Sequence, residues 1–220
     1  MSNSPRMIVM SGWGVKPQLL EPWCQVFDAT FDIEVLEWPD LMEGRRLSIR
    51  ERADRLALHI TSPTVCVGWS LGGEFLIDFA HHYPECVSGL VLLGTNPSFV
   101  ASGNWPGMDA AVFHRFVDQY QENPSKTMQR FASLQVSGSH DPRARLRCVK
   151  SYLEEASPLL GELLLELTID RRLPLGSLRC PVLHLLADHD ELVPNALSRH
   201  LNTEFVEAAS HVMFLDQPTK

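Results

Sequence analysis

The sequence predicts an α/β fold: a mostly parallel sheet of about six strands flanked by helices, with an inserted helical cap. Three observations carry that expectation. Short apolar runs alternate with longer amphipathic stretches, the pattern of a buried parallel sheet crossed by helices. A glycine-framed serine, Gly68-Trp69-Ser70-Leu71-Gly72, stands between one such run and a helical stretch. After the fourth run, more than 80 residues pass with helical periodicity and no strand candidate. A crossover needs only about a dozen, so that interval reads as an insertion. The 220 residues suit one domain built this way. The expected core is 1–97 with 175–220, and the expected cap is 98–174.

The strands are expected at residues 7–11, 33–38, 64–69, 89–94, 182–187 and 204–208. Each ends at turn chemistry. The first runs into Ser11-Gly12, the second into Pro39-Asp40, and the third into Ser70 ahead of Gly72-Gly73. The fourth meets Thr95-Asn96-Pro97, the fifth Asp188-His189-Asp190, and the last Ala209-Ser210-His211. Helices are expected at 47–61 and 73–82, the second stopped by Tyr83-Pro84.

Composition narrows the function. Asp+Glu is 27 against Lys+Arg 19, a formal net charge of -8, which argues against a general nucleic-acid binder. No apolar run approaches the roughly 20 residues that span a bilayer, and the N-terminus has no signal-peptide core. The chain reads as cytoplasmic, with no membrane partner. Its five cysteines are scattered without a CxxC pair and read as reduced and structural.

The G-x-S-x-G pattern demands a sharp strand-to-helix turn that lifts the Ser70 hydroxyl above the sheet. A serine needs a base, and the base an orienting acid. Candidates follow in the order Ser, Asp, His. Position sorts the histidines: His59, His81 and His82 belong to helices, His184 to a strand, His114 and His140 to the cap. His189 and His211 lie at strand ends, and His211 is preferred. Asp190 is the preferred acid and Asp188 the runner-up, whose other reading is a turn-stabilising Asx residue. An oxyanion hole is expected from the backbone N–H groups of Leu71 and of Trp13, in the loop Ser11-Gly12-Trp13-Gly14. The Trp13 indole would form an apolar wall beside it.

These residues, in this order and with Leu192-Val193-Pro194 after the acid, resemble the α/β-hydrolase superfamily. More narrowly, the chain is similar to the pimeloyl-acyl-carrier-protein methyl ester esterases of biotin synthesis. The narrower likeness rests on Trp69 before the serine, Pro97-Ser98-Phe99, Asn104-Trp105-Pro106-Gly107 and Arg130-Phe131-Ala132-Ser133-Leu134-Gln135. Two features depart from the family pattern. Ser11 stands where the family usually has His, and the chain is short at both ends, which reads either as a compact member or as trimmed ends.

The resemblance implies a serine esterase that cleaves the methyl ester of a pimeloyl chain on acyl carrier protein, without metal or organic cofactor. It implies an acyl chain held between core and cap by Trp13, Trp69, Phe99, Trp105 and Phe131. It also implies docking of an acidic carrier on basic cap residues, where Arg130 matches and Lys126 replaces an Arg. The charge pattern agrees. From position 126 to 150 there are six basic residues (Lys126, Arg130, Arg143, Arg145, Arg147, Lys150) and one acid, a local +5 that leaves -13 on the rest. Which of Arg143, Arg145 and Arg147 meets the carrier is open. A monomer is expected. The alternatives are a small-molecule esterase or C–C hydrolase on the same scaffold, and a non-catalytic hydrolase-like binding protein.

Overall fold

A computed structural model describes residues 4–38 and 47–219. The turn expected at Pro39-Asp40 lies outside the described residues. The first half runs β1 (Arg6–Met10), α1 (Glu21–Cys24), β2 (Asp32–Leu36), α2 (Ile49–His59), β3 (Thr64–Trp69), α3 (Leu71–His82) and β4 (Val87–Leu93). Five helices follow: α4 (Ala110–Glu122), α5 (Pro124–Gln135), α6 (Pro142–Ser151), α7 (Pro158–Glu166) and α8 (Arg172–Gly176). The chain returns to the sheet as β5 (Val182–Ala187) and β6 (Glu204–Val206), then closes on α9 (Met213–Asp216).

The sheet order is β2-β1-β3-β4-β5-β6 and every pairing is parallel. The C-terminal ends of the strands therefore share one edge, where open α/β sheets bind ligands. The central strands are apolar throughout because both faces are covered. Ile8 and Met10 enter one apolar layer with Leu56 of α2 and Phe75 and Phe79 of α3. Val9 enters the opposite layer with Trp23 of α1 and Phe214 of α9.

Element ends differ from the sequence expectation for local reasons. Helix α2 starts at Ile49, two residues late, because Ser48 and Glu51 form a reciprocal capping box. Helix α3 starts at Leu71, two residues early, because the turn at Ser70 feeds it directly. Strand β6 stops at Val206, two residues short. Ala208 takes a φ of 54°, and the Asp188 carboxylate accepts the N–H groups of Ala208 (2.9 Å) and Ala209 (3.0 Å). Neither donor is left for the ladder.

Helices α4–α8 fill the interval between β4 and β5. Phe113, Tyr120, Phe131 and Leu163 from them join the same apolar layer as Ile8. The loop after β1 is tied to the segment after α6 by Lys16 N–H to the Tyr152 carbonyl (2.7 Å) and Glu154 N–H to the Gly14 carbonyl (3.0 Å). Among the described residues, no helix is long and apolar enough to cross a membrane.

A buried ionic cluster fixes these helices to α3. The guanidinium of Arg171 is fully buried. Its Nε donates to Asp78 (2.6 Å), and its Nη1 to Glu74 (2.7 Å) and the Glu166 carbonyl (2.7 Å). Its Nη2 reaches the Glu166 carboxylate at 3.2 Å. Burial outweighs the attraction of Arg171 and pushes the Glu74 carboxyl up to about 8. An acid raised by folding stabilises fully below its unfolded value, and that contribution is lost as pH rises through the folded one. Between pH 5 and 8 the protein is expected to lose stability by about 1 kcal/mol per pH unit from this group. Glu74→Gln should flatten that slope in urea unfolding across the same range; an unchanged slope would refute the assignment.

Candidate active site

Ser70 is the hinge between β3 and α3, with φ 54° and ψ -122°. A non-glycine residue held there stores roughly 1–3 kcal/mol of strain. The surroundings hold it in place. Ser70 N–H donates to the Leu93 carbonyl at 2.9 Å, and its own carbonyl accepts from Gly73 N–H (3.0 Å) and the Thr95 hydroxyl (3.2 Å). Close packing explains the glycine at 72: a Cβ there would lie 2.6 Å from the carbonyl oxygens of Met10 and Ser11. Ser70 itself is half-buried and reachable.

His211 and Asp190 arrive from the ends of β6 and β5. Nδ1 of His211 lies 2.7 Å from Oδ2 of Asp190, both side chains being almost completely buried. Asp190 Oδ1 accepts the N–H groups of Leu192 (2.8 Å) and Val193 (3.0 Å), which locks the carboxylate. With Nδ1 bonded to a carboxylate, the lone pair belongs to Nε2. That Nε2 is buried and has no hydrogen-bond partner among the described residues. Gly94, at the end of β4, passes so close that a Cβ would sit 3.2 Å from His211 Nδ1 and 3.4 Å from Asp190 Oδ2.

Of the two acids weighed from sequence, the structure sets Asp190 against the imidazole and Asp188 elsewhere. Asp188 clamps the backbone of Ala208 and Ala209 instead. Against the opposing effect of burial, those amides and His189 hold its carboxyl below the ordinary range. His189 is exposed, and His184 Nε2–H donates to the Thr95 carbonyl at 2.7 Å.

Of the two expected oxyanion donors, Leu71 follows Ser70 directly and Trp13 follows Gly12 in the loop after β1. Leu71 opens α3, so its N–H has no acceptor within the helix. Gly12 lies directly over the nucleophile: a Cβ on it would come 3.1 Å from Ser70 Cβ. Trp13 follows, fully buried, with its indole N–H donating to the Leu160 carbonyl of α7 at 2.7 Å. Its ring meets Phe116, Tyr120 and Phe131 edge-on at 5.2–5.6 Å. Beyond this box Phe99, Phe113 and Phe131 line an apolar space of about 20 Å³.

Two expected wall residues are placed differently. Trp69 is fully buried, 5.0 Å from Phe214 and 5.5 Å from the imidazole, and its indole N–H holds the His211 carbonyl at 2.9 Å. It supports the histidine from beneath, because it alternates onto the α9 face of β3. Trp105 donates to Asn96 (2.9 Å) and stacks with His200 and Arg172. It lines a separate cleft of about 400 Å³ with Val182 and His184.

The basic residues divide as well. Lys126, Arg130, Arg143 and Arg147 are exposed on α5 and α6. Arg145 turns inward, with Nε 3.0 Å from Asp216. The cysteines are free; burial pushes the Cys24 thiol up to about 11 and also raises Cys66, so neither offers a thiolate at neutral pH.

A family model described as alpha/beta hydrolase fold matches residues 48–218. The pimeloyl-[acyl-carrier protein] methyl ester esterase of Vibrio cholerae serotype O1 is 31% identical over 204 residues, covering 89% of this chain and 80% of that protein. The chain belongs to this esterase family of the alpha/beta hydrolase fold. The esterase of the same description from Vibrio vulnificus is 28% identical and covers 98% of this chain and 91% of its own length. Among solved structures, an esterase from Exiguobacterium antarcticum superposes with a TM-score of 0.84 at 15% identity, covering 99% of this chain and 88% of that one. A bromoperoxidase from Bacillus anthracis gives 0.79 at 15% identity, with 98% and 88% covered. These two likenesses speak for the fold alone. As a member of this family the protein is a serine-type carboxylic ester hydrolase. Its geometry suits acyl transfer: a half-buried hydroxyl, a carboxylate-oriented imidazole with a free nitrogen, and orphan N–H groups at a helix start.

Proposed function

We propose that the protein hydrolyses the methyl ester of a pimeloyl chain carried by acyl carrier protein, using Ser70, His211 and Asp190. The observation that carries this reading is His211, whose Nδ1 is held by Asp190 while Nε2 is left unpartnered at the sheet edge that bears Ser70. The named substrate of its relatives gives the chemical class.

The chemistry proceeds in two halves. Ser70 Oγ attacks the ester carbonyl as its proton passes to His211 Nε2. Asp190 keeps the ring oriented and offsets the imidazolium charge. The N–H groups of Leu71 and Trp13 receive the oxyanion. Collapse breaks the C–OCH₃ bond, His211 returns the proton, and methanol leaves an acyl-Ser70. Water then gives a proton to His211 and attacks the acyl carbon, releasing the carboxylic acid and restoring the Ser70 hydroxyl. No step draws on a metal or organic cofactor.

In this reading residues 98–174 form a cap on a core of 1–97 and 175–220. The acyl chain lies between them against Trp13, Phe99 and Phe131, and the exposed cations of α5 and α6 receive the acidic carrier. Complementary charge acts chiefly on encounter. Reversing Lys126, Arg130, Arg143 and Arg147 to Glu is therefore expected to lower kcat/KM for the carrier-bound ester roughly tenfold or more. Turnover of p-nitrophenyl butyrate should be unchanged. Equal kcat/KM on the carrier substrate before and after reversal would refute the docking surface, leaving a small-molecule esterase.

A further inference from the structure

The turn that carries His211 is held by two carboxylates, and only one of them comes from the strand that supplies Asp190. Asp188 takes Ala208 and Ala209 N–H. The next N–H, that of Ser210, goes to Oδ2 of Asp216 at 2.9 Å, and the Ser210 hydroxyl goes to the same oxygen at 2.7 Å. Ser210 is fully buried, and the Asp216 side chain is 3% exposed. The other oxygen of Asp216 faces the inserted helices: Oδ1 accepts the Ser139 hydroxyl at 2.6 Å and Arg145 Nε at 3.0 Å. The carboxylate thus accepts four hydrogen bonds, two from the residue before His211, one from Ser139 in the loop between α5 and α6 and one from Arg145 of α6.

We propose that Asp216 is a positioning residue, fixing the peptide before His211 against the α5–α6 segment so that Nε2 stays aimed at the Ser70 side of the site. The inference rests on the Ser70–His211–Asp190 reading. The physical case is one of stiffness. Ala208 is held at a positive φ, and β6 pairs over only three residues, so the ladder alone gives the turn little support. Charge-assisted bonds to a buried carboxylate are stronger than neutral ones. Small displacements at a reacting group cost large factors in rate. Arg145 then serves the histidine, at least in part, from within a helix whose neighbouring cations face solvent.

The test uses the full chain with p-nitrophenyl butyrate and a fluorophosphonate, neither of which needs a carrier. Asp216→Asn is expected to lower kcat about tenfold or more, with KM near the wild-type value and a parallel slowing of fluorophosphonate capture. Asp216→Glu, which keeps the charge, should recover part of the loss. A purely structural role would lower the unfolding midpoint and leave the kcat of the folded fraction intact, and that result overturns the proposal. Should Asp216→Asn fail to fold, Arg145→Gln removes one arm of the clamp at a site 35% exposed. It is expected to reduce kcat on the small ester about fivefold, whereas wild-type turnover would overturn the proposal. Failure of the underlying reading looks different: wild-type protein would then show no fluorophosphonate capture at Ser70 at all.

Discussion

Ser70→Ala is expected to lower kcat for ester hydrolysis by about 10⁴- to 10⁶-fold, the loss that follows when a serine nucleophile is removed from a coupled Ser-His-Asp unit. The fold should survive. Alanine meets the same backbone demand at φ 54° as serine does, and the contacts that brace the turn run through the backbone and Thr95. The variant should therefore unfold at or slightly above the wild-type midpoint while failing to react with a fluorophosphonate. Turnover within tenfold of wild type would remove Ser70 from the chemistry.

The largest loss of stability is expected at Arg171. Arg171→Ala leaves Asp78 buried without this counter-charge and Glu166 facing only Arg52 at 3.9 Å, and it removes the donors for Glu74 and the Glu166 carbonyl. Breaking one partner out of a buried ion cluster costs about 3–5 kcal/mol. Urea unfolding at pH 7 measures it directly. Most of the penalty should come from Asp78, whose buried carboxylate loses its 2.6 Å partner. Adding Asp78→Asn to Arg171→Ala should then recover part of the loss, and a double variant no better than the single would contradict that division.

Much of this site is legible in the sequence because its signals are local. The turn at Ser70 needs glycine at 68, where a Cβ would come 2.4 Å from Gly73 Cα within one strand-turn-helix unit, so five residues announce it. The insertion is equally plain, since nothing between Leu93 and Val182 has strand character long enough to pair. What the sequence leaves open are choices between neighbours. Asp188 and Asp190 share one loop and one chemistry, and they differ only in which backbone or ring their oxygens meet. Trp69 and Trp105 both sit at strand or loop ends, but periodicity does not reveal which layer an indole enters. Arg145 looks like its neighbours Arg143 and Arg147 until Asp216, 71 residues away in the chain, is brought to it. Asp216 carries no motif of its own; its spacing five residues after His211 is the only hint, and it points to no partner.

Trp13 has a consequence for how this enzyme could change over generations. In the proposed reaction its peptide N–H receives the oxyanion, while its indole is bonded to α7 and boxed by Phe116, Tyr120 and Phe131. In that reading one residue belongs to both the reaction and the acyl-chain wall. A lineage drifting toward longer or shorter acids would be constrained at Trp13 and its ring neighbours, because repacking there disturbs the rate for every substrate at once. Substitutions that retune chain length should gather at the far side of the apolar space, around Met108, Leu134 and Leu167, leaving the tryptophan as the fixed point about which selectivity turns.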